Sequence, residues 1–176
     1  MSFAFALGAC GGAGGSANRG TEYMSLRTSS TAQYMALSTN GQISGPDLQL
    51  APTATGYRGM ARSELVDLRS DGKHIVGTIH DQPVDLHLRV GADGLMARGM
   101  FGGRLGRLHA SNVEIKASLG YCSYELEAKG TRYEGQSACG RSRIPIVRPA
   151  AIELPPGFER LPPDRQTMLL AIMLSQ

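Results

Sequence analysis

The feature that most constrains the fold is a regular succession of short apolar-alternating runs separated by turn residues, from about Glu22 to Val147. Successive side chains of a β-strand point to opposite faces, so alternation at a period of two predicts strands with one buried face. Asn40-Gly41, Asp71-Gly72 and Asp93-Gly94 indicate tight hairpin turns, because both central residues of a type I′ turn need a positive φ. The sequence therefore predicts antiparallel hairpins in series.

Folding the chain at its turns tests this prediction, because a slip of one residue would reverse the face of every side chain in a strand. A turn centred on Asp71-Gly72 pairs Leu68 with Ile75. The turn that follows pairs Ile79 with Val84. Further turn centres are predicted at Ser29-Ser30, Pro52-Thr53, Arg62-Ser63, Asp81-Gln82, Gly103-Arg104, Ser111-Asn112, Leu119-Gly120 and Gly130-Thr131.

Strand after strand, these turns place apolar or glycyl residues on one common face. We therefore expect an all-β fold, an antiparallel up-and-down meander of about 10 to 12 short strands that is strongly curved or barrel-like. Glycines recur in mid-strand at Gly59, Gly77, Gly99 and Gly135. Glycine there permits tight bending of a sheet or close approach of a ligand, and we favour bending.

The C-terminal part of the chain changes character. Prolines at 155–156 and 162–163 end the sheet, and Asp164 can begin a helix. The segment from Thr167 to Leu174 is apolar nearly all round, which predicts a buried helix packed on the concave face of the sheet. Docking of this helix on a membrane interface or on a partner is the alternative. The expected organisation is an N-terminal arm or tether (1–20), a β-meander domain (21–148), and a proline-rich connection with the helix (149–176) in the same domain.

Two of the three cysteines are predicted to face each other. A hairpin at Gly130-Thr131 places Cys122 directly opposite Cys139, at the Cα separation that a disulfide needs. Such a bond indicates an oxidising compartment. Two reduced thiols in a cytoplasmic protein are the alternative.

Composition and motifs argue against several functions. A net charge of +3 is too small to predict nucleic-acid binding. No Ser-His-Asp spacing, phosphate-binding loop, zinc-type cysteine pair or carboxylate dyad is present, so we predict no catalytic residue, no metal and no cofactor, and favour a non-enzymatic protein. A hydrolase using Asp85 and His87, which share a strand face, is a distant alternative.

The exposed face of the predicted sheet carries a cationic surface. In the predicted register, Arg89, Arg98 and His109 form one row. His87, Arg107 and Lys116 form the next row, with Arg104 at a turn. Such rows can bind anionic lipid headgroups, polysaccharide or an acidic protein partner. They can also serve only to keep a soluble sheet from stacking.

The tetrad Leu7-Gly8-Ala9-Cys10, followed by a Gly- and Ser-rich run, resembles the lipobox and tether of bacterial lipoproteins. The resemblance covers about ten residues, and it implies lipidation of Cys10, a periplasmic or outer-membrane location, and membrane association only through that lipid. Alternatively, Phe3 to Leu7 forms a first strand or an arm of a cytoplasmic assembly subunit, pairing with the sheet edge of a neighbour.

Overall fold

The structure, a computed structural model, describes residues 20–141 and 146–175. Over these residues it contains fourteen antiparallel β-strands, one short 3₁₀ turn at Phe158–Arg160 and one C-terminal helix, α1, at Pro163–Leu174. The strands are β1 Thr21–Thr28, β2 Ala32–Ser38, β3 Ile43–Gly45, β4 Leu48–Pro52, β5 Gly56–Ala61, β6 Glu64–Ser70, β7 His74–Ile79, β8 Gln82–Gly91, β9 Gly94–Phe101, β10 Arg104–Ala110, β11 Glu114–Leu119, β12 Cys122–Lys129, β13 Arg132–Cys139 and β14 Ile146–Glu153.

The predicted all-β meander is confirmed, and it closes into a barrel. Each strand pairs with its neighbours in the sequence, and β14 returns to pair with β1 through Ser25–Glu153 and Thr28–Ala150. Closure leaves no open strand edge within residues 20–141 and 146–175. The last strand continues through Pro149 to Glu153, so the connection to the helix begins later than the predicted boundary.

The inward-facing strand residues were predicted correctly, although Val113, predicted to face Leu126, lies in a turn and is 63% exposed. The pairing register from β6 to β12 was wrong by two residues. Leu68 pairs with Gly77 rather than Ile75, and Ile79 pairs with Gln82 rather than Val84. Each turn there is centred one residue from the predicted position, which shifts the register by two and leaves every side chain on its predicted face. The turn centres at Ser29-Ser30, Arg62-Ser63 and Gly130-Thr131 are confirmed.

The local reason for the displacement differs between turns. In the β6–β7 turn, Asp71 Oδ1 accepts hydrogen bonds from the backbone N–H groups of Lys73 (2.8 Å) and His74 (2.7 Å), which closes a four-residue loop. In the β7–β8 turn, His80 and Asp81 have φ values of +52° and +56°. Both residue types tolerate this left-handed region, so the turn is centred there without glycine.

The mid-strand glycines bring neighbouring strands unusually close together. A Cβ added to Gly99 would lie 2.0 Å from the carbonyl oxygen of Asp85 on the preceding strand. Gly59, Gly77 and Gly135 have the same relation to a carbonyl oxygen, at 2.0, 1.8 and 2.1 Å respectively. Any side chain would push these strands apart, so the glycines permit the tight coiling of the barrel wall.

Helix α1 fills the barrel. Residues Thr167 to Leu174 are at most 1% exposed around the whole helix, and they form one core cluster with the inward-facing strand residues. The predicted packing on the concave face is confirmed. At 12 residues, α1 falls short of what a bilayer crossing needs, and none of the helical residues described here forms a membrane-spanning helix.

The two ends of α1 define the two rims of the barrel. At the helix-start rim, the Arg165 guanidinium donates to the carbonyl oxygens of Thr53 (2.9 Å) and Gly56 and stacks over the Tyr57 ring at 4.7 Å. We call the opposite end the helix-end rim, where Ser175 lies close to His80. Its turns among the described residues are those at 29–30, 46–47, 62–63, 80–81, 102–103 and 120–121.

Replacing Gly99 with alanine is expected to lower the free energy of unfolding by about 1–3 kcal/mol, because the new methyl group would overlap the Asp85 carbonyl oxygen. The matched control is Gly91→Ala, since a Cβ there meets nothing within 4 Å, and we expect a change within about 0.5 kcal/mol. Urea unfolding of both variants measures the difference. Equal stability of the two variants would contradict the close approach of β8 and β9.

Candidate functional site

The predicted cationic residues lie on the outside of β8–β11. Six are on the outer face: His87, Arg89, Arg98, Arg107, His109 and Lys116. Arg104 is instead at the helix-end rim, where its guanidinium carbon lies 4.7 Å from the centre of the exposed Tyr121 ring. The predicted outward orientation is therefore correct for the six residues on the strands.

The rows in which these residues align differ from the prediction. His87 is directly opposite Arg98, and Arg98 is directly opposite Arg107. On the other side of His87 lies His74. Arg89 is opposite Met96, which separates it from the arginines. The predicted rows were wrong because the register was displaced by two residues.

We use the term cationic row for His74, His87, Arg98 and Arg107, which lie side by side on four consecutive strands. The His74 and His87 rings meet edge to face, with their centres 4.4 Å apart. Among the described residues, neither Arg98 nor Arg107 forms an ion pair. Like charges directly opposite each other in a sheet are destabilising, so folding alone does not explain this arrangement.

Several other outer-face cations have a counter-charge within the fold. Arg58 and Arg69 share Asp67, at 3.7 and 3.3 Å. His109 contacts the Asp93 carbonyl oxygen at 2.9 Å and the Glu114 carboxylate at 3.2 Å. These ion pairs offset part of the charge of their members, whereas Arg98 and Arg107 in the cationic row have no such partner among the described residues.

The ion pair between His109 and Glu114 also includes Lys116. Lys116 donates to the Glu114 carboxylate at 2.6 Å, and this hydrogen bond lowers the pKa of Glu114. Two of the predicted binding residues, His109 and Lys116, are thus held in an internal network around one carboxylate. Fewer of the predicted cationic residues are therefore available to bind an anion than the sequence suggested.

One end of the cationic row is fixed by Asp71. Its Oδ2 atom lies 3.3 Å from His74 Nδ1, while Oδ1 accepts the two backbone hydrogen bonds of the β6–β7 turn. Hydrogen bonds from Lys73 N and His74 N, and then from the His74 ring, lower the pKa of Asp71 to about 2. Asp71 and His74, together with Asp85 and His87, line a surface depression of about 510 Å³.

The alternative based on Asp85 and His87 finds little geometric support. Both side chains are exposed, and the His87 ring contacts His74 rather than Asp85. A general base needs a partner that orients it, and no hydrogen bond joins these two residues. Nowhere in the described part of the chain do three or more His, Cys, Asp or Glu side chains form a group able to hold a metal ion.

The predicted disulfide is confirmed. Cys122 and Cys139 are joined across β12 and β13, with their Cα atoms 4.1 Å apart, near the helix-end rim. Their separation of 17 residues corresponds to about 3 kcal/mol of stabilisation on the chain-entropy view. Cys10 lies outside the described residues, so its predicted lipidation remains a prediction.

Sequence reasoning missed a second polar region inside the helix-end rim. Inward positions of β2, β12 and β13 carry Gln33, Tyr124 and Ser137 instead of aliphatic residues. Arg148 on β14 pairs directly with Ser137 and so lies on the same face of the sheet, with its side chain exposed at the rim. Polar residues in inward register were the available signal, but only barrel closure brings these strands together.

The Asp71 carboxyl group is expected to titrate with a midpoint near pH 2, against about 3.9 for an unperturbed aspartate. Since its pKa is lowered in the folded state, the carboxylate contributes stability above about pH 4 and loses it as the pH falls through 2. Carbon-13 NMR of the carboxyl resonance, assigned by its loss in Asp71→Asn, measures this. A midpoint near 4 would mean that the backbone hydrogen bonds of the turn do not form in solution.

Comparison with known proteins gives no assignment. No protein family, no curated protein and no solved structure matches this chain. The functional argument therefore rests on the residues and geometry of the chain itself.

Proposed function

We propose that the protein is a non-enzymatic binding domain of the bacterial cell envelope that holds an anionic polysaccharide across the cationic row. One observation carries the proposal: Arg98 and Arg107 face each other directly across β9 and β10 with no carboxylate partner among the described residues. An anion between the two guanidinium groups would supply the missing counter-charge. Arginine suits this role because its planar fork binds carboxylate and sulfate groups with two parallel hydrogen bonds.

The rest of the barrel leaves the outer surface as the place for a large partner. The interior is filled by α1, and a closed sheet has no strand edge to which another strand can add. The alternative of an assembly subunit that pairs at a sheet edge has no such edge within residues 20–141 and 146–175. These features favour a partner that lies on the barrel rather than within it.

The shape of the cationic row favours a linear polymer. Adjacent strands are about 4.8 Å apart, so four side chains on consecutive strands span about 14 Å around the barrel. This surface is convex and solvated, so each contact is weak, and useful affinity requires several charges that repeat along one molecule. A polysaccharide with regularly spaced carboxylate or sulfate groups has this property.

The compartment is inferred from two separate features. The disulfide between Cys122 and Cys139 is typical of proteins outside the reducing cytoplasm. The resemblance of Leu7-Gly8-Ala9-Cys10 to a lipobox agrees with export and with a lipid anchor. An envelope location would also bring the domain close to anionic polysaccharides.

Replacing both Arg98 and Arg107 with serine is expected to weaken binding of heparin, a sulfated model polysaccharide, by about tenfold. The loss is modest because the change removes two charge contacts that are exposed to solvent. The matched control is Arg58→Ser with Arg69→Ser, which removes the same net charge from two arginines that share Asp67. Surface plasmon resonance at several salt concentrations measures both variants. The salt dependence of binding should become shallower only in the Arg98 and Arg107 variant.

Two results would count against this function. Equal losses in both double variants would mean that heparin responds only to net charge. Tighter binding of polyglutamate than of heparin would redirect the proposal to an acidic polypeptide partner. Neutral dextran should not bind.

Intact-mass analysis of the protein from its native membrane tests the compartment. We expect a mature chain that begins at an acylated Cys10 and is two hydrogen atoms lighter because of the disulfide. An unprocessed chain with three reduced cysteines would end the envelope proposal and leave the binding proposal to be judged on the heparin results alone.

A further inference from the structure

Helix α1 fills the middle of the barrel, but among the described residues a pocket remains at the helix-end rim, between β1–β2 and β12–β14. There, inward-facing side chains and the β5–β6 turn enclose a pocket of about 350 Å³. This is within the size range of small-molecule sites, roughly 300–1,000 Å³. Its polar lining comes from Thr28, Gln33, Arg62, Tyr124, Ser137 and Arg148.

The pocket contains buried polar groups without ordinary hydrogen-bond partners. Tyr124 is 2% exposed, and the contact of its hydroxyl group is with Cys139 Sγ, at 3.9 Å. Ser137, on the neighbouring strand and directly opposite Tyr124, is 4% exposed. Gln33 Oε1 is buried and has no hydrogen-bond partner among the residues that the structure describes. Buried polar groups are nearly always paired, so this cluster needs an explanation.

The charge of the pocket has a single sign. Arg62 and Arg148 line it, and none of its described lining residues is an aspartate or glutamate. Burial raises the pKa of Tyr124 to about 12, while the positive charge of Arg62 acts in the opposite direction. Tyr124 therefore keeps its proton at neutral pH and remains a hydrogen-bond donor. Donors and positive charge together favour an anionic ligand.

The same pocket has an apolar side. Leu26, Ile146 and the disulfide sulfur of Cys139 lie on its wall. An inorganic anion would leave this wall in contact with water, whereas an alkyl or aryl group would cover it. The polar and apolar sides together match a molecule with one anionic head and a short apolar body.

We propose that the helix-end rim binds a small organic carboxylate, paired with Arg62 and Arg148 and hydrogen-bonded by Tyr124 and Ser137. Its apolar body contacts Leu26 and Ile146. The site is separate from the cationic row, because it faces inward on β1, β2 and β12–β14 whereas the row faces outward on β7–β10. It does not depend on the proposed polysaccharide function.

Titration of the isotopically labelled, oxidised protein with sodium hexanoate, followed by NMR, tests the site. Chemical shifts of Tyr124 and Ser137 should change with a saturable dependence on hexanoate. Hexanamide, which has the same shape without the charge, should bind at least tenfold more weakly, a difference of about 1.4 kcal/mol. Inorganic phosphate, which lacks the apolar body, should also bind more weakly than hexanoate.

Variants assign the roles of the arginines. Arg62→Gln is expected to weaken hexanoate binding about tenfold, and Arg62→Lys should weaken it less, because the positive charge is kept. Since Arg62 lies in a turn with a φ of +52°, Arg148→Gln on β14 serves as an independent second variant. Arg98→Ser with Arg107→Ser should leave hexanoate binding unchanged, which separates this site from the cationic row.

Four results would overturn the proposal, and the first three concern hexanoate itself. They are the absence of saturable shifts at Tyr124 and Ser137, equal binding of hexanoate and hexanamide, and hexanoate binding that both arginine variants leave unchanged. Phosphate binding as tight as that of hexanoate would also overturn it, since the apolar wall would then contribute nothing.

Discussion

The mutual burial of α1 and the barrel wall is the interaction on which the rest of the structure depends. The chain has no tryptophan and only 6% aromatic residues, so its strands alone offer little volume with which to fill a wide barrel. An apolar helix of 12 residues is in turn too short to be stable alone in water. The helix therefore fills the barrel, and the barrel buries the helix. Arg165 also holds the start of the helix in place by donating hydrogen bonds to carbonyl oxygens of the β4–β5 turn.

Much of this architecture could be predicted from the sequence, because strand faces depend on a local pattern. Alternation placed Val66, Leu86 and Ile115 on the inside, and the structure buries all three. The register was harder to predict, since it depends on which residues form each turn. Asp71 was assigned to the centre of a turn on the strength of Asp-Gly, but its carboxylate instead closes a longer loop from the first position. Side-chain hydrogen bonds of this kind are not visible in a periodic pattern.

The functional regions were predictable to different degrees for the same reason. The outward direction of Arg98 and Arg107 followed from alternation, whereas their direct opposition required the correct register. The pocket at the helix-end rim could not be derived by folding successive hairpins. It joins Leu26 and Gln33 to Tyr124 and Ser137, which are about a hundred residues away in the chain and meet only because β1 pairs with β14.

The order of elements along the chain has a consequence for how the protein reaches this state. Helix α1 follows the fourteen described strands in the sequence, so the helix that fills the interior is synthesised only after the strands that surround it. Until the helix is available, the apolar face of the sheet is exposed, and intermediates with exposed apolar surface tend to aggregate. Contacts between the ends of a long chain also form slowly. A protein built in this order benefits from being kept unfolded until it is complete, for example by a chaperone or during passage through a secretion channel.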